Sequence, residues 1–202
     1  MITVHHLNQS RSQRIIWLLE ELQLPYELVK HERNPQTRLA PQSLKDIHPL
    51  AKAPIISDGD FLLSESGAIV EYILDQDEQQ RLRPARGTQA YYRYQEWMHF
   101  AEGSLSLPLV STLVMSMEDR SNKQMMDHYI DKEIELDFSF IEDTLSKQAY
   151  FAGEEFSAAD IMMTFMLGMA ASQGHLDNRP HTQKYLQTVQ QREAYQKAAE
   201  HG

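Results

Sequence analysis

The order of apolar and polar positions divides the chain into two differently patterned parts. Near the start, Ile2, Val4 and His6 alternate with Thr3 and His5, the period of a short strand. Ile15, Leu18, Leu19 and Leu22 then recur at i, i+3, i+4 and i+7, which puts them on one face of a helix. Pro25 follows, and Tyr26 to Val29 reads as a second strand. The segment Pro41 to Asp46 fits a short helix. Two apolar runs, Pro54-Ile55-Ile56-Ser57 and Asp60-Phe61-Leu62-Leu63, flank an Asp58-Gly59 pair. Such a pair predicts a tight hairpin whose two turn positions both take positive φ. A helix with Ile69, Tyr72 and Ile73 on one face completes the order β-α-β-(α)-β-β-α.

From Glu78 to Gly87 the chain turns polar and carries Pro84, which marks a linker. Only helical periods follow. One long helix carries Tyr91, Tyr94, Met98, Ala101 and Leu105, with a break expected near Pro108. A second carries Met126, Ile130, Ile134, Ile141 and Leu145, a third begins at Ser157, and a fourth follows Pro180. The expected organisation is an α/β domain over residues 1–78 and an all-helical domain over residues 87–202.

Composition narrows the chemistry. The 202 residues include no cysteine, which removes structural disulfides, thiolate metal sites and any protein thiol nucleophile. A formal charge of −10 makes nucleic acid and anionic membrane poor partners. The longest mostly apolar stretch, Met162 to Ala171, is too short to span a bilayer, and the first residues lack the pattern of a signal peptide. A soluble, cytoplasmic chain is expected. His5 and His6 are neighbours on a strand and point to opposite faces, so they make poor co-ligands, and no metal site is expected.

Four segments could carry chemistry or merely punctuate the fold. Between the first strand and helix lies Asn8-Gln9-Ser10-Arg11-Ser12-Gln13-Arg14. Ser10 and Gln13 have the spacing of a capping box. The same residues also offer a hydroxyl and free N–H groups at a positive helix end, which stabilises an anion such as a thiolate. Lys52-Ala53-Pro54 opens the hairpin, either as strand punctuation or as a cis bond that exposes the Ala53 backbone to an extended ligand. Ser64-Glu65-Ser66-Gly67-Ala68 begins the next helix, with Ser66 as the expected N-cap. Glu65 there suits a cationic group, and the hydroxyl and N–H groups suit a carboxylate, a combination that fits an α-amino acid. Ser157 and Asp160 form a capping box, with Phe156 placed to staple onto Ile161, and read as purely structural.

Taken together, these segments resemble the cytosolic glutathione transferases. The resemblance is carried by Ser10-Arg11-Ser12-Gln13-Arg14-Ile15-Ile16-Trp17-Leu18-Leu19-Glu20-Glu21-Leu22, by His48-Pro49-Leu50-Ala51-Lys52-Ala53-Pro54, by Glu65-Ser66-Gly67-Ala68-Ile69 and by Phe156-Ser157-Ala158-Ala159-Asp160-Ile161. It extends over nearly the whole chain and is nearest to bacterial and fungal members with a short serine-type first loop. The resemblance implies a thioredoxin-like N-terminal domain, an all-α C-terminal helical bundle, and glutathione bound along the first domain. Glu65 and Ser66 match the pair holding the γ-glutamyl amino and carboxylate ends. Ala53, before a cis Pro54, matches the residue whose backbone pairs with the cysteinyl part, and Lys52 a position holding the glycyl carboxylate. His48 stands where many members have Asn before Pro.

The implied reaction is conjugation of the glutathione thiolate to a small electrophile, a detoxification chemistry carried out by a homodimer without metal. Only the thiolate is a good nucleophile, so the enzyme must favour it. Ser10 is the first choice as hydrogen-bond donor, with Asn8, Gln9 and Ser12 as competitors in the same loop and Arg11 adding positive potential. No tyrosine lies in the loop. The electrophile is expected between the domains, against Tyr94, Met98 and Glu102 of the long helix. Two other readings stand beside this one: a glutathione-dependent peroxide or disulfide reductase, and a non-catalytic glutathione-binding or assembly module of the same fold.

Overall fold

A computed structural model describes residues 1–202. The chain divides into two compact units, Met1–Leu82 with Gln190–Gly202, and Arg83–Val189.

The first unit is built on a four-stranded mixed sheet in the order β2-β1-β3-β4. Strands β1 (Ile2–Leu7) and β2 (Tyr26–His31) are parallel and are joined through helix α1 (Ser12–Leu22). Strands β3 (Ile55–Asp58) and β4 (Phe61–Ser64) form an antiparallel hairpin, and β3 also runs antiparallel to β1. Helix α2 (Gln42–Ile47) follows β2, and helix α3 (Ser66–Gln76) follows the hairpin. The element order is the β-α-β-(α)-β-β-α that the periods predict, and the arrangement is thioredoxin-like, as the resemblance implies.

The alternation read along β1 is lost in its burial, because both His5 and His6 are inside. An inner strand covered on both faces buries successive residues regardless of which way they point. On one face Leu7 meets Ile55 and Leu44 of α2, while α1 packs against the strand as well. The hairpin turn also differs from expectation. Asp58 pairs with Phe61, so the two-residue loop is Gly59-Asp60, and only Gly59 takes positive φ, at 58°. Tyr72 of α3 explains where Asp58 goes: its hydroxyl donates to the Asp58 carboxylate at 2.9 Å.

Helix α1 is buried nearly all round, with Ile16 and Trp17 inside beside the four residues of the expected face. The extra cover comes from a short helix with no clear apolar period, α9 (Glu193–Ala199), which packs on α1. The Trp17 and Tyr195 rings meet edge to face at 4.9 Å.

The second unit is helical throughout: α4 (Gln89–Gly103), α5 (Ser106–Met115), α6 (Met125–Leu145), α7 (Ala158–Ser172) and α8 (Pro180–Gln190). The long first helix breaks at Ser104-Leu105 and not at Pro108, which sits in the first turn of α5. There its missing N–H costs no hydrogen bond. Helix α7 forms the centre of the unit, with ten buried residues from Ala158 to Ala170. Its start is the expected capping box. Asp160, fully buried, accepts from the Ser157 amide at 2.9 Å, the Ser157 hydroxyl at 3.0 Å, the Phe151 amide at 3.0 Å and the Tyr185 hydroxyl at 2.8 Å. No helix of the chain is long and apolar enough to cross a membrane.

Candidate active site

Strand pairing places three of the four flagged segments at one end of the sheet. His5 of β1 lies opposite Ile55 of β3, and Ile55 lies opposite Ser64 of β4. The loop after β1, the residues before β3 and the residues after β4 therefore emerge side by side. They bring with them the N-termini of α1 and α3, two sources of free N–H groups and positive potential.

The first loop is held by hydrogen bonds that the sequence spacing misassigns. Ser10 and Gln13 make no capping box: the N-cap is Arg11, without a side-chain cap bond, and the Gln13 amide meets the Ser10 main-chain carbonyl at 3.3 Å. The Ser10 hydroxyl points inward. Its Oγ lies 2.7 Å from the Leu7 carbonyl and 2.7 Å from Ser12 Oγ, and it accepts from the Ser12 amide at 3.3 Å. Ser12 is fully buried and reaches His6 Nδ1 at 2.9 Å, while His6 Nε2 lies 2.6 Å from the His201 carbonyl. Burial pushes the His6 pKa down, and the nearby His201, Lys30 and His31 push the same way, against the His201 carbonyl, which favours the charged form.

Asn8 is committed to a different task. Its Oδ1 accepts from the Arg33 amide at 2.9 Å, and its carbonyl accepts from Arg33 Nε at 3.1 Å. The Arg33 guanidinium also reaches the Gln9 carbonyl at 3.4 Å and the Arg38 carbonyl at 3.0 Å, and Arg38 binds the Gln9 side chain. Arg33 and Arg38 thus stand beside the loop as cations that sequence spacing does not reveal, since more than twenty residues separate them from it. Arg11 is half-buried at the head of α1.

At the second segment the Ala53–Pro54 bond is cis, with Pro54 buried and Lys52 exposed. At the third, Ser66 is the first residue of α3 and not its cap; Glu65 occupies the cap position with φ 75° and ψ 121°. Ser66 is buried, and Glu65 points its charge to solvent. In the helical unit, Tyr94, Met98 and Glu102 stand one turn apart along α4. Tyr94 and Met98 are buried, at 0 % and 5 % exposure, and Glu102 is partly accessible. His5 pairs with His31 of β2, ring centroids 5.7 Å apart, and the two rings contact the Ser57 and Ser43 hydroxyls. No group of three or more histidine or carboxylate side chains is gathered as a metal site would require.

The comparisons with known proteins agree with this fold. Residues 1–75 match the family model "Glutathione S-transferase, N-terminal domain", and residues 105–193 match "Glutathione S-transferase, C-terminal domain". The chain is 32% identical to glutathione S-transferase 3 of Schizosaccharomyces pombe, over 99% of this chain and 87% of that protein. It is 31% identical to glutathione S-transferase 1 of Saccharomyces cerevisiae, over 96% of this chain and 92% of that one. Among solved structures, a glutathione S-transferase from Actinobacillus pleuropneumoniae superposes with a TM-score of 0.90 at 35% identity, covering 99% of this chain and 92% of the other. With the thioredoxin-like sheet, the helical second unit and both domain models in their expected order, the chain belongs to the glutathione S-transferase family and is a transferase of that type.

Proposed function

We propose that the chain binds glutathione at the end of the sheet, ionises its thiol and transfers the sulfur to a small electrophile. The observation that carries this reading is the meeting of a serine-bearing loop, a cis-proline strand start and a second helix N-terminus at that one end. These are the group types that a γ-glutamyl-cysteinyl-glycine tripeptide needs. Residues 1–78 are assigned to glutathione and, of the expected second domain over 87–202, the helical residues up to Val189 to the electrophile, since Gln190–Gly202 belong to the first unit.

In this reading Glu65 takes the ammonium of the γ-glutamyl end, and Ser66 with the first N–H groups of α3 takes its carboxylate. The Ala53 backbone pairs with the cysteinyl part before Pro54, and Lys52 takes the glycyl carboxylate. Ser10 receives the sulfur. A free thiol is mostly protonated at neutral pH, and one pKa unit of lowering corresponds to about 1.4 kcal/mol. A hydrogen bond to a charged group, worth about 1.5–3 kcal/mol, is enough to shift the thiol by that much. The positive end of α1, with Arg11, Arg33 and Arg38 nearby, favours the same anion. Asn8 is the competing donor: its Oδ1 holds the Arg33 amide, which fixes the side chain and leaves the Nδ2 hydrogens to donate, whereas Ser10 must turn from the Leu7 carbonyl to meet the sulfur. Tyr94, Met98 and Glu102 are assigned to the electrophile, with Glu102 the most accessible of the three. The working form is proposed as a cytoplasmic homodimer, which sedimentation would report as twice 23.4 kDa.

The test is the thiolate absorbance of bound glutathione against pH. Ser10→Ala is expected to raise the bound thiol pKa by about one unit or more and to lower turnover on an aryl halide roughly tenfold. An unchanged pKa in Ser10→Ala removes Ser10 from this role, and Asn8→Ala then tests its neighbour. Turnover compared on an aryl halide, a hydroperoxide and a small disulfide separates transfer from reduction.

A further inference from the structure

The hydroxyl protons of the first loop can be counted. Two serine hydroxyls, each with one proton, face three acceptors: the Leu7 carbonyl, the other serine's Oγ and His6 Nδ1. A main-chain carbonyl only accepts, so His6 Nε2, 2.6 Å from the His201 carbonyl, carries the imidazole proton. In the neutral ring Nδ1 is then an acceptor, and the Ser12 hydroxyl donates to it at 2.9 Å. With the Ser12 proton directed there, the single Ser10 proton has two acceptors at 2.7 Å, the Leu7 carbonyl and Ser12 Oγ, and either one turns it inward. A neutral His6 therefore turns the Ser10 proton inward and presents Ser10 Oγ outward as an acceptor. A positively charged His6 reverses the chain of side-chain bonds: Nδ1–H donates to Ser12, Ser12 to Ser10, and Ser10 outward, away from the Leu7 carbonyl. The first polarity suits a thiol, the second a thiolate.

We propose that Ser10, Ser12 and His6 form a proton relay that carries the glutathione thiol proton inward to His6, with the His201 carbonyl holding the imidazole in the accepting tautomer. This rests on Ser10 receiving the sulfur. The S–H bond breaks and its proton passes to Ser10 Oγ; the Ser10 proton passes to Ser12 Oγ; the Ser12 proton passes to His6 Nδ1. One proton moves in net, leaving a thiolate and an imidazolium, and no oxidant or other co-reactant is needed. The new proton positions leave Ser10 donating to the sulfur anion it has just helped to create. After transfer to the electrophile, the sulfur is a thioether, and the imidazolium passes its proton back along the same two serines to solvent water, which takes it up with the departing halide as counter-ion. His6 touches no reacting atom and is a positioning residue that acts through Ser12 and Ser10.

Every group facing His6 is accounted for. Lys30 and His31 of β2 and the His201 ring after α9 disfavour the imidazolium, as does burial, and the His201 carbonyl favours it. The relay therefore starts in its neutral, thiol-accepting polarity, and the charge needed to stabilise the imidazolium is the thiolate itself. Ser10 is 8 % exposed, whereas Ser12 and His6 are 0 % and 1 % exposed, so the relay leads from an accessible end into a dry interior. Solvent does not short-circuit such a path.

The experiment reads two signals on the full-length chain. Thiolate absorbance reports ionisation of bound glutathione, and the ¹⁵N resonance of His6 Nδ1 reports protonation of the ring. S-methylglutathione, which has no thiol proton to give, is the control ligand. Glutathione is expected to protonate His6 Nδ1 over the pH range in which thiolate appears, and S-methylglutathione to leave it bare. Ser12→Ala, which cuts the relay but leaves His6 on the His201 carbonyl, and His6→Gln are each expected to reduce the thiolate fraction about tenfold below the thiol pKa. If thiolate forms while His6 Nδ1 stays unprotonated, the relay is wrong and the role of Ser10 survives. If no thiolate forms in the parent protein, both the glutathione reading and the relay fall.

Discussion

At the residue scale, charge in a poor position is as informative as charge in a good one. Asp137 of α6 is half-buried and shares a helix face with Glu133, and together these push its pKa from 3.8 up to about 6. The raised value means that the folded chain holds a proton that the unfolded chain has released. The contribution of Asp137 to stability is therefore fully present below pH 3.8, is lost as pH rises toward 6, and stays lost above that. Asp137→Asn removes the penalty without changing side-chain volume. Urea unfolding is expected to show a gain of ~1–2 kcal/mol at pH 7.5, after allowance for solvent screening, and almost none at pH 3.5. An equal gain at both pH values would trace the effect to packing and not to charge. The opposite arrangement was legible in the sequence. Asp160 stands three residues after Ser157 at the head of an apolar run, and its carboxylate does cap that helix. The same logic failed at Ser10 and Ser66 because a hydroxyl has several local partners within reach, and spacing cannot say which one wins. Ser10 found the Leu7 carbonyl and Ser12, and the backbone turn at Glu65 took the cap position that Ser66 was expected to fill.

At the element scale, periodicity was a reliable guide where an element has one buried face and a poor one where it has two. Helix α6 shows its buried stripe in the sequence at Ile130, Ile134, Ile141 and Leu145, although Met126, expected on the same stripe, is exposed. Helix α1 shows a stripe that is narrower than its true burial, because the second cover, α9, is seven residues long and has no apolar period of its own. Polar contacts hold that cover in place. Arg192 Nε and Nη2 donate to the two carboxylate oxygens of Glu21 at 2.6 and 2.7 Å, and Trp17 Nε1 donates to the same carboxylate at 2.9 Å. The pair is separated by 171 residues, beyond the reach of any local pattern. Glu21 is only 10 % exposed, so a lost partner leaves a carboxylate in a place where water cannot replace the guanidinium. Arg192→Ala is expected to cost ~1–2 kcal/mol in urea unfolding, and Arg192→Lys to recover less than half of it, because an ammonium cannot make the paired contact. Full recovery by lysine would show that charge alone, and not the forked geometry, holds α9 to α1.

At the scale of the whole molecule, two global features constrain the chemistry: the absence of cysteine and the net charge of −10. Without a protein thiol, the only sulfur available to the reaction arrives with the substrate, and the chain's part is to hold and ionise it. The charge sets up a conflict, since glutathione is itself an anion and must approach an acidic protein. Range decides between the two effects. At 0.01 M ionic strength the Debye length is about 30 Å, so an incoming anion feels the repulsion of the whole chain; at 0.15 M it is about 8 Å, and only immediate neighbours count. Those neighbours at the proposed site are mainly cationic or positively polarised, namely Lys52, Arg33, Arg38 and the N-termini of α1 and α3, against the single carboxylate of Glu65, which is assigned to the ligand's ammonium. The glutathione dissociation constant is therefore expected to fall by roughly twofold or more between 0.01 and 0.15 M salt, then to rise toward 1 M as the short-range contacts are screened in turn. Titration calorimetry across that range gives the curve directly. A constant that rises from the lowest salt onward would mean that local attraction dominates at every range and that the acidic surface plays no part in recognition. Lys52→Ala separates the two arms, because it removes a neighbour and leaves the distant charge almost unchanged. It is expected to flatten the high-salt rise while preserving the low-salt fall.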